Sequence, residues 1–335
     1  MAGLKIGLDI GTFSIKASIP GKGVVLNEPS VLACDSHTRR PLAFGRAAFE
    51  MLGRAPASVT VKRLIEEGKI ADYEYAELAL NHIIKKLCGQ RLLKPHLYIA
   101  QSSEATELER LSLCELAAKV GAADVCLIDE ALAAAFGSQT AGPRLVGIGL
   151  ADIGAGKTDA CVLSMGKTAV SSSFRIAGDK MTAELIEYFK SEREIEISFE
   201  EAERVKLLLA CAHNPEAEIA VTVGGKLIND GQPLSVEVSN SEVYYAIRPH
   251  IAEITEGLRL MLEQTPPELS GDISENGLVL TGGTAELNGL AELLQRKLKI
   301  PVERAAAPSF CVCNGLEKII KNNIVKEYGL SHIRV

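Results

Sequence analysis

Apolar and polar positions along the chain alternate in short runs that stop at glycine. The first run, LKIGLDI, ends at Gly11-Thr12, and a second, SIKASI, returns from it. Period-two alternation on both sides of a small residue predicts two strands joined by a tight turn. The pattern recurs in LVGIGLADIGAGKTDACVL, where strand-like runs flank Asp152-Ile153-Gly154. The two Asp-Ile-Gly segments lie about 143 residues apart, so each heads one half of the chain, and two similar lobes are predicted. A third turn, Thr281-Gly282-Gly283-Thr284, follows an apolar run. It precedes a helical pattern with Leu287, Leu290, Leu293 and Leu294 on one face.

Helical periodicity predicts further helices over about 74–88, 107–120, 181–190 and 243–264, the last ending before Pro266-Pro267. A final helix at about 312–326 is expected to pack back on the first lobe. The segments EIAVTV and SVEVS, separated by Gly, Asn and Asp, read as paired strands. Strands alternating with helices give an α/β class. The expected first lobe is 1–144, with an inserted subdomain at about 32–72. The second is 145–335, with an insertion at about 179–244.

The turn chemistry favours phosphate. Gly11, Gly154, Gly156, Gly282 and Gly283 let the main chain approach a ligand and aim N–H groups at it. A helix starting after Gly283 would add its positive end. Asp9 and Asp152, at strand ends facing one another, suit Mg²⁺ held through water. Lys16 would reach the phosphates as a point charge. One such turn alone is an ordinary hairpin; two matched turns and a third glycine turn point to a nucleotide. Gly156-Lys157-Thr158 has the look of a P-loop ending, but the required earlier glycine falls on Ala151, and strand patterns flank the segment on both sides. The P-loop reading fails.

Composition narrows the partners. A net charge of −7, no Trp and 4% aromatic residues argue against a nucleic-acid surface or a base-stacking platform. There is no apolar run long enough for a membrane span and no secretory leader pattern at the N-terminus. The eight cysteines are scattered without a CxxC, and Cys311-Val312-Cys313 lacks the companion pair a zinc site needs. A reduced, cytoplasmic chain is expected.

Several longer segments carry a resemblance: GKGVVLNEPSV (21–31), EEGKIADY (66–73), ATELER (105–110), LIDEALAAAFG (127–137), DIGAGKTDACVLS (152–164), RIAGDKM (175–181), EAERVK (201–206), TPPELSGDI (265–273) and GLVLTGGTAEL (277–287). In this order they resemble the MreB family of bacterial actins, within the actin and sugar-kinase superfamily, over nearly the whole chain. The resemblance implies an actin-like two-lobed ATPase fold, each lobe a mixed sheet flanked by helices with a small inserted subdomain. It implies an ATP-binding protein that polymerises on the inner face of the cell membrane, works with cell-wall synthesis and membrane morphogenesis proteins, and organises cell shape.

By the same resemblance Gly11, Thr12, Gly154, Gly156 and Thr158 hold phosphates. Phe13, Lys16, Ala155, Lys157, Gly178, Asp179 and Thr284 share the cleft. Glu203 and Lys206 meet the ribose and base, and Gly282 and Gly283 close over the adenosine. Glu109 corresponds to a water-orienting glutamate, with Asp152 and Thr158 as further catalytic candidates. Each has a plainer reading. Glu203 and Lys206, one helical turn apart, make an ordinary ion pair, and Thr106 with Glu109 has capping-box spacing.

The chain departs from the family pattern in two places. DIGGGTT becomes DIGAGKT, with Ala155 and Lys157 as the new residues, and the segment 100–106 lacks the Pro and Gly of V-P-x-G-x-T. Leu111 also replaces a second Arg. Water positioning tolerates displacement poorly, so slow hydrolysis with intact nucleotide binding is expected, Lys157 retaining the cleaved phosphate. Leu92 and Leu93, among Lys85, Lys86, Arg91 and Lys94, match a membrane-dipping loop; Pro95 opposes the alternative that they begin a buried strand. Two other readings stay open: a non-polymerising adaptor of division or pilus assembly, which Lys16 resembles, and a small-molecule kinase, for which no separate catalytic carboxylate motif is found.

Overall fold

The computed structural model describes residues 3–89, 93–138, 146–165, 167–324 and 333–334. The expected lobe boundary at 144–145 and Leu92 lie outside them.

The opening alternation becomes an antiparallel meander of β1 (Lys5–Ile10), β2 (Ser14–Ile19) and β3 (Gly23–Pro29). Ile6, Leu8 and Ile15 turn fully inward. An inserted unit follows: β4 (Val31–Asp35), β5 (Pro41–Phe44), α1 (Arg46–Phe49) and β6 (Val59–Arg63), with the hairpin β7 (Ile65–Glu66) and β8 (Lys69–Ile70). The chain then alternates through α2 (Tyr73–Cys88), β9 (His96–Gln101), α3 (Glu107–Lys119), β10 (Asp124–Asp129) and α4 (Glu130–Ser138). β9 lies parallel to β1, and β10 parallel to β9.

The second lobe repeats the plan. β11 (Val146–Ile153), β12 (Thr158–Ser164) and β13 (Lys167–Phe174) form its meander. Its insertion holds α5 (Gly178–Arg193), β14 (Ile195–Glu196), α6 (Phe199–Leu209), β15 (Ala220–Leu227) and β16 (Pro233–Ser239). Then come α7 (Asn240–Glu263), α8 (Pro267–Asn276), β17 (Leu278–Thr281), α9 (Leu290–Leu298), β18 (Val302–Arg304) and α10 (Cys311–Lys321). β17 runs parallel to β11 as β9 does to β1, and β19 (Ile333–Arg334) joins the first sheet beside β10. Helix starts follow the side chains that can satisfy unpaired N–H groups: Asp72 caps α2, and Thr106 with Glu109 and Ser239 with Glu242 form reciprocal capping boxes on α3 and α7.

Each lobe has its own apolar core, and a third cluster joins them. The third is built on α4 and α10, which pack along each other, α10 also lying against β1 and β2. Two glycines permit that crossing. A Cβ on Gly315 would lie 1.7 Å from the Ala133 carbonyl oxygen, and one on Gly137 would lie 1.8 Å from that of Cys311.

Two helices differ from expectation. No regular helix follows Gly283: Gly283–Glu286 is one 3₁₀ turn, and α9 begins only at Leu290. Gly282 and Gly289, at φ +84° and +76°, bracket the turn in left-handed conformations. Leu287 therefore stands outside the helix, and the helix pole expected beside Gly283 is displaced from that residue to Leu290. α10 stops at Lys321 because the chain turns there through Asn323, at φ +55°.

Candidate functional site

A cleft of about 1210 Å³ separates the lobes. That is slightly above the roughly 300–1,000 Å³ usual for small-molecule sites. Its floor is made by the two glycine turns. In the first, Gly11 N–H donates to the Ser14 carbonyl at 3.1 Å; in the second, Gly154 N–H donates to the Lys157 carbonyl at 3.0 Å. The strands behind them match position for position: Asp9 pairs with Lys16 and Ile10 with Ile15 as Asp152 pairs with Asp159 and Ile153 with Thr158. The turns meet across the cleft, since a Cβ on Gly156 would lie 2.5 Å from Thr12 Oγ1.

Of the residues read from sequence as phosphate, nucleotide or catalytic groups, most line this cleft. Asp9, Gly11, Thr12, Phe13, Lys16, Glu109, Asp152, Gly154, Ala155, Gly156, Lys157, Gly178, Glu203, Lys206, Gly282, Gly283 and Thr284 do so. Thr158 does not. It is fully buried, and its hydroxyl donates to the Ile176 carbonyl at 2.7 Å. The register explains this: Thr158 occupies the position that Ile15 fills in the first lobe, which faces the core. Asp179 is also turned to another task, pairing with Arg63 at 2.8 Å. That ion pair, with Arg175 to Glu67 at 2.9 Å and Arg54 to Glu200 at 2.7 Å, ties the first lobe's insertion to the second lobe.

The third turn buttresses the second. Thr281 Oγ1 donates to Asp152 Oδ2 at 2.9 Å, and Thr284 Oγ1 to the Gly154 carbonyl at 2.7 Å. On α6, Lys206 Nζ lies 2.7 Å from Glu203 Oε2 and also donates to the Gly178 carbonyl and Thr182 Oγ1. Glu203 and Lys206 are thus a part-buried, locked pair on the cleft wall. Glu109 keeps its capping role: its Oε2 accepts from Thr106 N–H at 2.8 Å while Oε1 meets Lys69 Nζ at 2.7 Å. The Lys69 ammonium, helped by Thr106, pulls the Glu109 carboxyl down to about 2.

Two acids escaped the sequence reading. Glu130 opens α4 and Asp159 lies on β12, and both enter the cleft beside Asp9 and Asp152. Burial pushes the Glu130 and Asp152 carboxyls above the usual range, with neighbouring acids adding to the effect. Lys157 Nζ bonds Glu130 Oε2 at 2.9 Å and also Asp159 Oδ2. Burial works against its charge, and those two carboxylates outweigh it, so its pKa is raised. Among the described residues no group of three or more His, Cys, Asp or Glu side chains is placed to cage a metal. Leu93 is 47% exposed in the bend before β9, and no helix among the described residues is long and apolar enough to cross a membrane.

This architecture has counterparts among known proteins. The chain is 38% identical over 318 residues to the cell shape-determining protein Mbl of Bacillus subtilis, covering 95% of this chain and 96% of that one. It superposes on the crystal structure of MreB5 of Spiroplasma citri bound to ADP with a TM-score of 0.89 at 32% identity, covering 96% and 98% of the two chains. Against the AMPPNP-bound form the TM-score is 0.90 at 32% identity, covering 98% and 99%. The fold is actin-like. The family model described as MreB/Mbl protein matches residues 3–327, and the chain belongs to that family.

Proposed function

We propose that the chain binds ATP with Mg²⁺ between its lobes and polymerises into filaments that lie on the inner face of the cell membrane and organise cell-wall synthesis and cell shape. The observation that carries this reading is the pair of equivalent glycine turns, Gly11–Ser14 and Gly154–Lys157, brought face to face on the cleft floor. Their tips offer the N–H groups of Thr12, Phe13, Ala155 and Gly156 to phosphate oxygens. In this reading the locked Glu203–Lys206 pair takes the nucleoside side, with Gly282 and Gly283 in the same cleft. MreB5, a solved relative, carries ADP or AMPPNP.

The donor set fits Mg²⁺. Two carboxylates, Asp9 and Asp152, line one cleft, and burial, with the neighbouring Asp9 and Asp159 adding to it, raises the Asp152 carboxyl above its ordinary range. Mg²⁺ takes one or two carboxylates and keeps its waters; when bound it would neutralise phosphate charge. Hydrolysis is slow in this reading. Both oxygens of Glu109 are engaged by Lys69 and Thr106, and the Thr158 hydroxyl is spent on Ile176. Any water that Glu109 orients must share its carboxylate with Lys69 and Thr106.

Membrane attachment rests on Leu92 and Leu93. A buried leucine contributes about 1.5–3 kcal/mol and each nearby cation about 1 kcal/mol at an anionic surface. One loop binds weakly and a filament of loops firmly. High-speed sedimentation with electron microscopy tests the reading. With ATP and Mg²⁺ the chain should pellet as filaments and bring down anionic liposomes. Leu92→Ser with Leu93→Ser should keep the filaments and lose the liposomes. A chain that stays in the supernatant with ATP at every concentration would refute polymerisation.

A further inference from the structure

Lys157 does not project freely toward solvent. It leaves the β11–β12 turn and crosses the cleft floor, 18% of its side chain exposed. Its stem packs on Gly68 of the first lobe's insertion, where an added Cβ would lie 2.6 Å from Lys157 Cδ. Its ammonium ends between Glu130 of the first lobe and Asp159 of the second, and Ser102 Oγ steadies Asp159 at 3.3 Å. The stem and both carboxylates therefore fix the position of the charge.

The charges around it set its task. Asp9, Asp152, Glu130 and Asp159 all line this floor. Lys16 is already paired with Asp9, at 3.4 Å. A polyphosphate arriving on such a floor meets negative charge unless a cation accompanies it. Free Mg²⁺ is one source, recruited from solution with partial loss of its water shell. An ammonium held in place needs no recruitment. It has three N–H donors, two of them taken by Glu130 and Asp159, which leaves one for a phosphate oxygen at the cleft.

We infer that Lys157 is a tethered cation that lets this cleft hold a nucleoside polyphosphate with reduced dependence on Mg²⁺. The inference deepens the nucleotide reading above and rests on it. Glu130 and Asp159 keep the ammonium in register, and the second glycine turn delivers it to the phosphates.

The test is the factor by which Mg²⁺ raises ADP affinity, measured by calorimetry on the full chain in millimolar Mg²⁺ and in EDTA at matched ionic strength. Coupling between two ligands commonly spans about 5–150-fold. The parent chain should lie near the bottom of that range, within about 10-fold, and Lys157→Gln near the top, on the order of 100-fold. Removing one member of a buried ion pair destabilises a fold, so Lys157→Gln combined with Glu130→Gln is measured alongside; it deletes the pair together and should give the same large factor. Because each factor is a ratio within one variant, a merely structural role for Lys157 leaves it unchanged. Equal factors in the parent and both variants overturn this inference while leaving nucleotide binding intact. No ADP binding by the parent even with Mg²⁺ overturns both readings.

Discussion

A Gly156→Val chain is expected to fold and to bind ADP at least about 100-fold more weakly than its parent. Gly156 sits where the two glycine turns touch. A Cβ there would lie 2.5 Å from Thr12 Oγ1, 2.8 Å from Thr12 Cγ2 and 3.0 Å from Thr12 Cβ. The residue's φ is not left-handed, so the backbone itself accepts a side chain and the strain falls on the gap between turns. Thr12 cannot swing away cheaply, because its hydroxyl accepts from Gly68 N–H at 3.1 Å and the residue is buried. The turns must separate, and losing two main-chain hydrogen bonds to a charged phosphate, at about 1.5–3 kcal/mol each, costs about 10²-fold or more in affinity. Calorimetry with ADP and Mg²⁺, with circular dichroism to check folding, reads the result. Shortening the opposing side chain, as in Gly156→Ala with Thr12→Ala, should recover part of the loss; affinity unchanged in Gly156→Val would mean the turns do not hold the ligand.

Gly315→Val is expected to cost about 3 kcal/mol or more. The clash is with main chain: the new Cβ would lie 1.7 Å from the Ala133 carbonyl oxygen and 2.5 Å from its carbon. Neither can rotate aside, so α10 must lift from α4. That crossing carries the apolar cluster joining the two sheets, with Leu316, Ile319 and Ile320 buried against Ala131 to Ala135. Overpacking a core costs about 1–3 kcal/mol, occasionally more, and here the obstacle is backbone on both sides. At about 2–4 °C per kcal/mol for a chain of this order of size, the apparent Tm should fall by roughly 6–12 °C in a thermal melt. A melt within about 2 °C of the parent would show that the helices tolerate a wider crossing.

The fold was legible where the local pattern and the tertiary role agree. Alternation on both sides of Gly11 and Gly154 announced two hairpins, and their spacing announced a repeat, because each lobe opens on the same meander. Pro266-Pro267 marked the end of α7, which stops at Glu263. The glycine motif at 281–284 is plain in the sequence, yet the helix expected after it is one 3₁₀ turn. An apolar face with helical spacing cannot reveal that Gly282 and Gly289 take left-handed angles.

The site was legible as far as its main chain. Gly11, Gly154, Gly156 and Gly282 are places where a backbone must come close, and glycine records that need in the sequence itself. Side-chain partnerships leave no such record. Thr158 reads as a phosphate ligand until register assigns it the place of Ile15. Glu130 reaches Lys157 only through folding, from a helix start in the other lobe. Asp179 and Arg63 likewise find one another between the second lobe and the first lobe's insertion. These are tertiary facts, and no local periodicity encodes them.

The most direct measurement is a calorimetric titration of the full chain with ADP, and separately with ATP, in the presence of Mg²⁺. One nucleotide per chain, with binding abolished or weakened by Gly156→Val, is the predicted result. No heat with either nucleotide, or binding that ignores the Gly156 substitution, would contradict the placement of a nucleotide on the paired glycine turns.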